Sequence, residues 1–588
     1  MQTEAVQDAP VITTERVDDI PLLIGIMQQM GLPQILDRHM PSHWKQRELS
    51  WGWTAVIWLA YILTEGDHRK SSVEAYIKEM QHTLKEVTGQ AVSAADFTTD
   101  RLAHVLKYLS QASNWEGIEQ ELSERSIEVY DLPTDLARCD ATTVSGYHEG
   151  GEGSLFQFGH SKEDPHLRQI KLMVGSLDPL GMPLVSAVVS GERADDGLYI
   201  PVIDRMHQIL KKSGVLFCGD CKMSAFAIRL HLKGLENHYL SPLPRTGKTA
   251  EAMDAWIEEG LAQETRGELQ EVTRKNEQQE EVLIARGYAF EREQSGLEGA
   301  SEIEWTERVL IIQSPTYAEQ QKKGLDRRVE NARQKIEALT PPRGRGQRQI
   351  TEEAVLKGEI DHLLKAHNVD GLLEVTYEKE VENQVKYIGR GRGAKNRSKQ
   401  VIQKIRYQIT QVTPREEKIE AKKKTLGWKA YVTDVSQERL SLKEAMLCYR
   451  KEYRVERIFN RLKSQLNIAP FFVKREDQVA GLTHLLTLGI RVLTLIEFVV
   501  RRSLQQDQVS LAGLHPENPK KTTDAPTAER ILKAFSNVNL TLIHSGKSLL
   551  RHLTPRSELQ KQLLKRLGLD GGLYQNLEIK NSEILLTN

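Results

Sequence analysis

The stretch Ala480–Val500, AGLTHLLTLGIRVLTLIEFVV, constrains this chain more than any other. It is long and apolar enough to cross a bilayer as a helix, so it is either a membrane span or a helix that the rest of the protein must cover. His484, Arg491 and Glu497 decide between the two, because three ionisable groups in a single helix would be costly in lipid. Flanked by Arg475, Arg501 and Arg502, the segment reads as the buried core helix of a water-soluble protein. The 588 residues are too many for one core, since about 150 residues per domain gives roughly four domain-sized units. Hydrophobic residues at 39% and charged ones at 27% sit near globular averages, which argues against a mainly disordered, collagenous or membrane-embedded chain.

Upstream, residues from about Val17 to Tyr130 carry helical periodicity and almost no strand signal. Leu22, Leu23, Ile26 and Met27, and again Leu102, Val105, Leu106 and Leu109, recur at the spacing of a buried helical face. From Asp135 the period changes to two. Leu136–Ser145 reads as a strand, and Ile170–Leu177 and Leu184–Val189 read as a hairpin turning at Asp178-Pro-Leu-Gly181. An amphipathic helix (Tyr199–Lys212), a short apolar run ending at Asp220, a helix from near Ser224 and a strand near His238–Leu240 complete a mixed α/β core.

Between about Pro242 and Gly427 the composition shifts. Glu-rich helical stretches (Glu251–Glu293) precede a strand at Arg308–Gln313. Next come a polar helix over Tyr317–Leu339, a second over Glu352–Leu364, and alternating segments at Leu373–Tyr377 and Ile402–Thr410. This reads as an insertion with its own sheet and a helical hairpin. The core resumes with a strand at Trp428–Asp434, a helix from about Leu442 to Leu466 and the long apolar helix, and a helical tail starts near Thr527. The expected divisions are 1–130, 131–241, 242–427, 428–505 and 506–588.

Asp140 and Asp220 each lie in or at the end of an apolar run of the expected core sheet. Burying a lone charge is expensive, so such a carboxylate is paired, sits at a strand end, or holds a cation; an Asp capping a loop at a strand terminus accounts for either one equally well. Cys218-Gly-Asp-Cys221 has zinc-like spacing, but no second such pair accompanies it, and strand cysteines are commonly small buried hydrophobes. The four cysteines, Cys139, Cys218, Cys221 and Cys448, are too few for a disulfide scaffold. No signal peptide opens the sequence, so reducing cytoplasm is the expected compartment. In Leu447–Lys463, Val455, Ile458, Phe459 and Leu462 form one helical stripe, and Tyr449, Glu452, Glu456 and Lys463 a neighbouring one. By periodicity alone, an ordinary amphipathic helix with a solvated face explains that pattern better than a site does.

The order Asp140, Asp220, then Glu456 within a Tyr…Glu…Lys helix resembles the DDE transposases of bacterial insertion sequences, in particular the insertion-sequence-four superfamily with its motif Tyr-x2-Arg-x3-Glu-x6-Lys. Tyr449, Glu456 and Lys463 fit the motif, whereas Glu452 stands where the pattern has Arg. Asp67-His-Arg-Lys70, Asp140-Ala-Thr-Thr143, Gly159-His-Ser-Lys162, Leu240-Ser-Pro-Leu-Pro244 and Gly389-Arg-Gly-Arg-Gly393 extend the likeness over most of the chain. What the resemblance implies is an α/β fold with an RNase H-like mixed-sheet core, interrupted by a β-rich and helical insertion and flanked by helical regions.

It also implies a metal-dependent enzyme of the bacterial cytoplasm that acts on double-stranded DNA, at element ends and at the target, as a homodimer or larger synaptic complex. Two Mg²⁺ ions, replaceable by Mn²⁺, would be held by the catalytic acids Asp140, Asp220 and Glu456, with Asp140 bridging. Tyr449 and Lys463 would hold the phosphate backbone. Two divalent ions suit in-line phosphodiester cleavage because they stabilise the attacking and leaving oxygens together.

The net charge of -1 neither demands nor excludes DNA, since a binding face needs only local positive charge. Lys386–Arg406 offers such a face: it holds Lys386, Arg390, Arg392, Lys395, Arg397, Lys399, Lys404 and Arg406, and no acid. Three interspersed glycines make it a donor-rich loop suited to phosphate, while Glu378, Glu380 and Glu382 nearby could instead neutralise it as a solvated loop. Trp305 could stack on a base or pack into the core, and packing is the more economical reading. Two other functions compete with the enzyme: a transposase-derived DNA-binding protein without activity, and a helical scaffold protein, which would have no affinity for DNA.

Overall fold

The apolar periodicity upstream of Tyr130 folds into helices that include Ile20–Gln29, Trp51–Glu65, Thr99–Leu109 and Ala112–Tyr130. Side-chain oxygens start two of them, as Ser50 accepts from the Trp53 amide and Thr98 from the Arg101 amide. A strand that helical periodicity does not announce, β1 (Val11–Arg16), precedes them. The computed structural model describes residues 10–41, 48–160, 164–276, 279–344, 346–347, 349–388, 399–545, 548–569 and 572–578. The chain divides into two units, one of residues 1–241, 294–305 and 448–588, the other of 242–293 and 306–447.

In the first unit, period two takes over past Asp135 as expected. β2 (Leu136–Gly146), β3 (Arg168–Leu177) and β4 (Met182–Ser190) form an antiparallel meander. The turn from β3 to β4 closes where Gly181 adopts φ +67°, a left-handed conformation that glycine takes without steric cost. Helix Asp196–Leu210 then leads to β5 (Leu216–Gly219), and helix Phe226–Gly234 to β6 (His238–Pro242). The order in space is β4-β3-β2-β5-β6, with β5 parallel to β2 and β6 parallel to β5. This is the mixed α/β core that the change of period past Asp135 leads one to expect.

The long apolar segment is one helix, Glu476–Asp507, buried over nearly its whole apolar length against β4 and helix Thr99–Leu109. Packing is close enough that a Cβ at Gly481 would collide with the Leu106 carbonyl oxygen. Each of its three ionisable groups has a partner inside the fold. His484 stacks on Trp115 with ring centroids 4.2 Å apart and hydrogen-bonds the Leu109 carbonyl at 2.8 Å; burial pushes its pKa down to about 4, so the ring is neutral. Arg491 donates to Glu119 at 2.9 Å and to Ser123 at 3.0 Å. Glu497 accepts from Arg457, Arg461 and the Ala528 amide. Paired in this way, charges that lipid would penalise are accommodated in a protein interior.

The second unit holds β7 (Gln270–Lys275), part of β8 (Glu281–Glu298) and part of β9 (Ser301–Gln313), then β10 (Leu373–Tyr387), β11 (Lys399–Pro414) and β12 (Trp428–Thr433). One expectation changes here. Only Gly247–Arg266 of the Glu-rich stretch is helical, and past Arg266 the chain turns to strand as β7 and β8. Ala285 and Tyr288 of β8 are buried while acids such as Glu291 and Glu293 are not, a half-buried pattern that strand pairing can satisfy and a high Glu content obscures. The expected strand at Trp428 is present as β12, antiparallel to β9 with Trp428 opposite Gln313. The helical hairpin appears as Pro315–Glu337 and Glu353–Ala366; Leu325, Val329, Ile336, Leu356 and Ile360 pack with Ile409 and Val412 of the β10-β11 ribbon.

The flank beyond residue 505 is helical at Ala528–Lys533, capped by Thr527, and at Glu558–Arg566. Between these helices β13 (Asn539–Ser545) and β14 (Ser548–Leu553) join β1 in a three-stranded sheet, with Val11 opposite His544. Both flanks therefore contribute strands as well as helices.

Candidate active site

Parallel pairing of β2 with β5 sets Cys139 opposite Gly219. The next residue on each strand is Asp140 and Asp220, so two acids far apart in sequence emerge side by side, about one strand spacing of ~4.8 Å from each other in backbone. Both are half-buried, and both line one cavity of about 160 Å³ together with Thr142, His160, Lys171, Asp195, Tyr199 and Lys463. The strands themselves supply the rigidity, since Asp140 is paired through β3 opposite Val174.

The partners of these acids divide the work. Tyr199, from helix Asp196–Leu210, donates its hydroxyl to Asp220 Oδ1 at 2.6 Å, and the Lys222 amide donates to the same oxygen at 2.9 Å. Burial, with the Asp220 charge added, holds the Tyr199 phenol well above its usual pKa, so it keeps the proton it donates. Lys171 is engaged by Asp195 at 2.6 Å and by the Arg193 carbonyl at 2.5 Å. The Asp140 carboxylate accepts from the Ala141 amide at 2.8 Å.

The helix expected over Leu442–Leu466 is not one regular helix. It runs as α-helix at Leu442–Tyr449, as a 3₁₀ turn at Arg450–Glu452, as α-helix at Tyr453–Asn460 and as a π turn at Arg461–Gln465. A 3₁₀ residue advances about 120° where an α-helical one advances about 100°, so the stripe Tyr449, Glu452, Glu456, Lys463 is broken by the change of pitch. Lys463 lines the cavity of the two aspartates; Glu456 does not, and is exposed. Glu452 is half-buried, hydrogen-bonded to Tyr449, and its carboxyl is pushed up by burial, then by the charges of Glu456 and Asp220. The Tyr449 hydrogen bond and, to a smaller extent, the Arg138 charge oppose that rise.

Carboxylate oxygens such as those of Asp140 and Asp220 are the hard donors a Mg²⁺ ion prefers, so these two residues are the ones that could hold one. Among the described residues, no group of three or more His, Cys, Asp or Glu side chains is arranged to hold a metal ion. Of the motif residues, then, Asp140, Asp220 and Lys463 come together, while Glu456 and Tyr449 stand apart from that cavity. Arg390, Arg392, Lys395 and Arg397 lie outside the described residues, as do Ser161 and Lys162. Trp305 is a packing residue, 6% exposed, donating to the Tyr239 hydroxyl at 2.8 Å. Sequence reading missed Lys171, Asp195 and Tyr199; the one signal for them was Lys171, a charge inside the otherwise apolar run of β3.

No family model matches the chain, and no curated protein does. Among solved structures, the chain is similar to a piggyBac transposase synaptic complex with hairpin DNA, determined by cryo-electron microscopy, at 6% identity and a TM-score of 0.36 over 98% of this chain and 89% of that one.

Proposed function

We propose that this chain is a divalent-metal-dependent DNA transposase of the DDE type, which cuts at element ends and joins them to target DNA as a dimer or larger assembly. The observation that carries the reading is the β2-β5 register, which brings Asp140 and Asp220 together in a cavity that Lys463 shares. The motif resemblance supports the same assignment from the sequence side. Bound Mg²⁺, held by Asp140 and Asp220, would supply the charge stabilisation that phosphoryl transfer needs. Within the chain, Tyr199 fixes the orientation of the Asp220 carboxylate. Lys463 and His160, on the cavity wall, would receive a phosphate oxygen. The Asp195 contact keeps the Lys171 ammonium turned toward the same wall.

A second reading, a DNA-binding protein without nuclease activity, is favoured by one observation: Glu456 does not line the cavity of the aspartates. One experiment separates the two. Duplex DNA carrying the element ends is mixed with the wild type and with Asp140→Ala, Asp220→Ala and Glu456→Ala, in Mg²⁺ and in chelator. Under the enzyme reading only the wild type in Mg²⁺ cuts, and all four proteins shift the DNA on a gel. Binding without cutting by the wild type would select the second reading, and wild-type cutting rates in any of the three variants would remove that residue from the site.

A further inference from the structure

Cys218 and Cys448 meet at the edge of the site just described. Cys218 lies on β5, just before Asp220, and Cys448 lies at the end of helix Leu442–Tyr449, just before the 3₁₀ turn that leads to Glu456. Their sulfurs are 3.7 Å apart, and Cys448, not the nearby Cys221, is the sulfur neighbour of Cys218. Arg138 holds Cys448 in place: its guanidinium donates to the Cys448 carbonyl at 2.5 Å and to the buried Asp178 carboxylate at 2.7 Å, with the Cys448 sulfur 4.0 Å away. A disulfide is about 2.05 Å long, so closure requires the sulfurs to approach by less than the length of two bonds, within reach of side-chain rotation and a small helix shift.

We propose that Cys218 and Cys448 form an oxidative modification site, a dithiol that a peroxide converts to a disulfide joining β5 to the end of helix Leu442–Tyr449, one 3₁₀ turn before the helix of the third acid. The thiolate of Cys448 attacks one peroxide oxygen, the O–O bond breaks, and hydroxide leaves to take up a proton as water; Cys448 is then a sulfenic acid. Cys218, giving up its proton, attacks that sulfur and expels the hydroxyl as a second water. Two thiols lose two hydrogens and two electrons, and one peroxide becomes two waters. The environment assigns these roles. The Arg138 guanidinium, 4.0 Å from the Cys448 sulfur, adds positive charge that favours the Cys448 thiolate, while Cys218 is wholly enclosed beside it. Cys448 is also the half-exposed member of the pair, as an attacking thiol must be. Cys139 is buried and has no cysteine within bonding reach.

The cross-link itself stands apart from the transposase reading; its consequence for cleavage rests on that reading. Glu456 can join the aspartates only if its helix Tyr453–Asn460 moves toward them, and a disulfide at Cys448 would anchor to β5 the segment just before the 3₁₀ turn from which that helix starts.

The test uses the full chain, reduced and then treated with a small excess of hydrogen peroxide. Free thiols, counted by alkylation under denaturing conditions, should fall from four to two, and proteolysis should release one disulfide-linked peptide pair holding Cys218 and Cys448. Cys448→Ser should abolish that pair, and Cys221→Ser should retain it. Retention of all four thiols, or a Cys218–Cys221 product instead, would overturn the proposal. In a parallel arm, peroxide should stop DNA cleavage by the wild type, dithiothreitol should restore it, and Cys448→Ser should be insensitive. A cross-linked protein that still cuts would refute the locking of the helix, whereas a reduced protein that never cuts would count against the transposase reading and leave the peptide result standing.

Discussion

Asp178 joins the strand of the first acid to the helix of the third. Its side chain is fully buried and accepts from Arg138 Nε at 2.7 Å, Arg138 being 4% exposed two residues before Asp140; its other oxygen accepts from Arg454, beside Glu456 in sequence. Asp178→Ala strands the Arg138 charge in the interior, and breaking a buried pair in this way costs about 3–5 kcal/mol. Arg454, partly exposed, can turn to water and adds little. Against a total stability on the order of 5–15 kcal/mol, the single variant should lose a large share, visible as a fall in melting temperature of about 4–6 °C for a unit of this size. The double variant Arg138→Met/Asp178→Leu removes both charges and replaces them with apolar volume, a change that is often neutral for buried pairs. Thermal and denaturant unfolding followed by circular dichroism measure both proteins. A single variant within about 1 kcal/mol of wild type, or a double variant less stable than the single, would refute the claim that charge pairing holds this junction.

Glu452→Gln should retain most DNA cleavage and raise stability without added metal, since it removes a half-buried carboxylate facing Glu456 and Asp220, whereas Glu456→Gln should abolish cutting; equal losses would leave the identity of the catalytic glutamate open. Asp19, buried and hydrogen-bonded to Thr64, has its carboxyl raised from 3.8 to about 6 by burial. The fold disfavours the charged form, so this contribution to stability is complete below about pH 3.8 and is lost as pH rises through about 6. Asp19→Asn should therefore gain about 2–3 kcal/mol at pH 8 and nothing at pH 4, and a pH-independent difference in unfolding free energy would contradict it. Neutralising Arg390, Arg392, Lys395 and Arg397 together should weaken DNA binding across sequences and flatten its salt dependence by about 0.9 in slope per lost duplex phosphate contact, while an unchanged slope would mean that the segment is merely solvated.

The sequence by itself determined the local matters. Alternation located β2, β3 and β4, three ionisable groups identified Glu476–Asp507 as a core helix and not a span, and Asp140 and Asp220 stood out as acids at the ends of apolar runs. These are legible because period and composition act over a few residues. Tertiary structure alone decided which partners each charge meets: Glu119 for Arg491, Asp178 for Arg138, Tyr199 for Asp220. It also decided the register of β2 against β5, without which two acids are only two acids, and the entry of Lys171 and Asp195 into their cavity. Strands β7 and β8 hid behind a Glu-rich composition, and β1 acquires its partner β13 from the far end of the chain. The break in pitch at Arg450–Glu452 had no signal either, since every residue there suits an α-helix. In each case the deciding energy comes from pairing and burial between segments distant in sequence, which local periodicity cannot report.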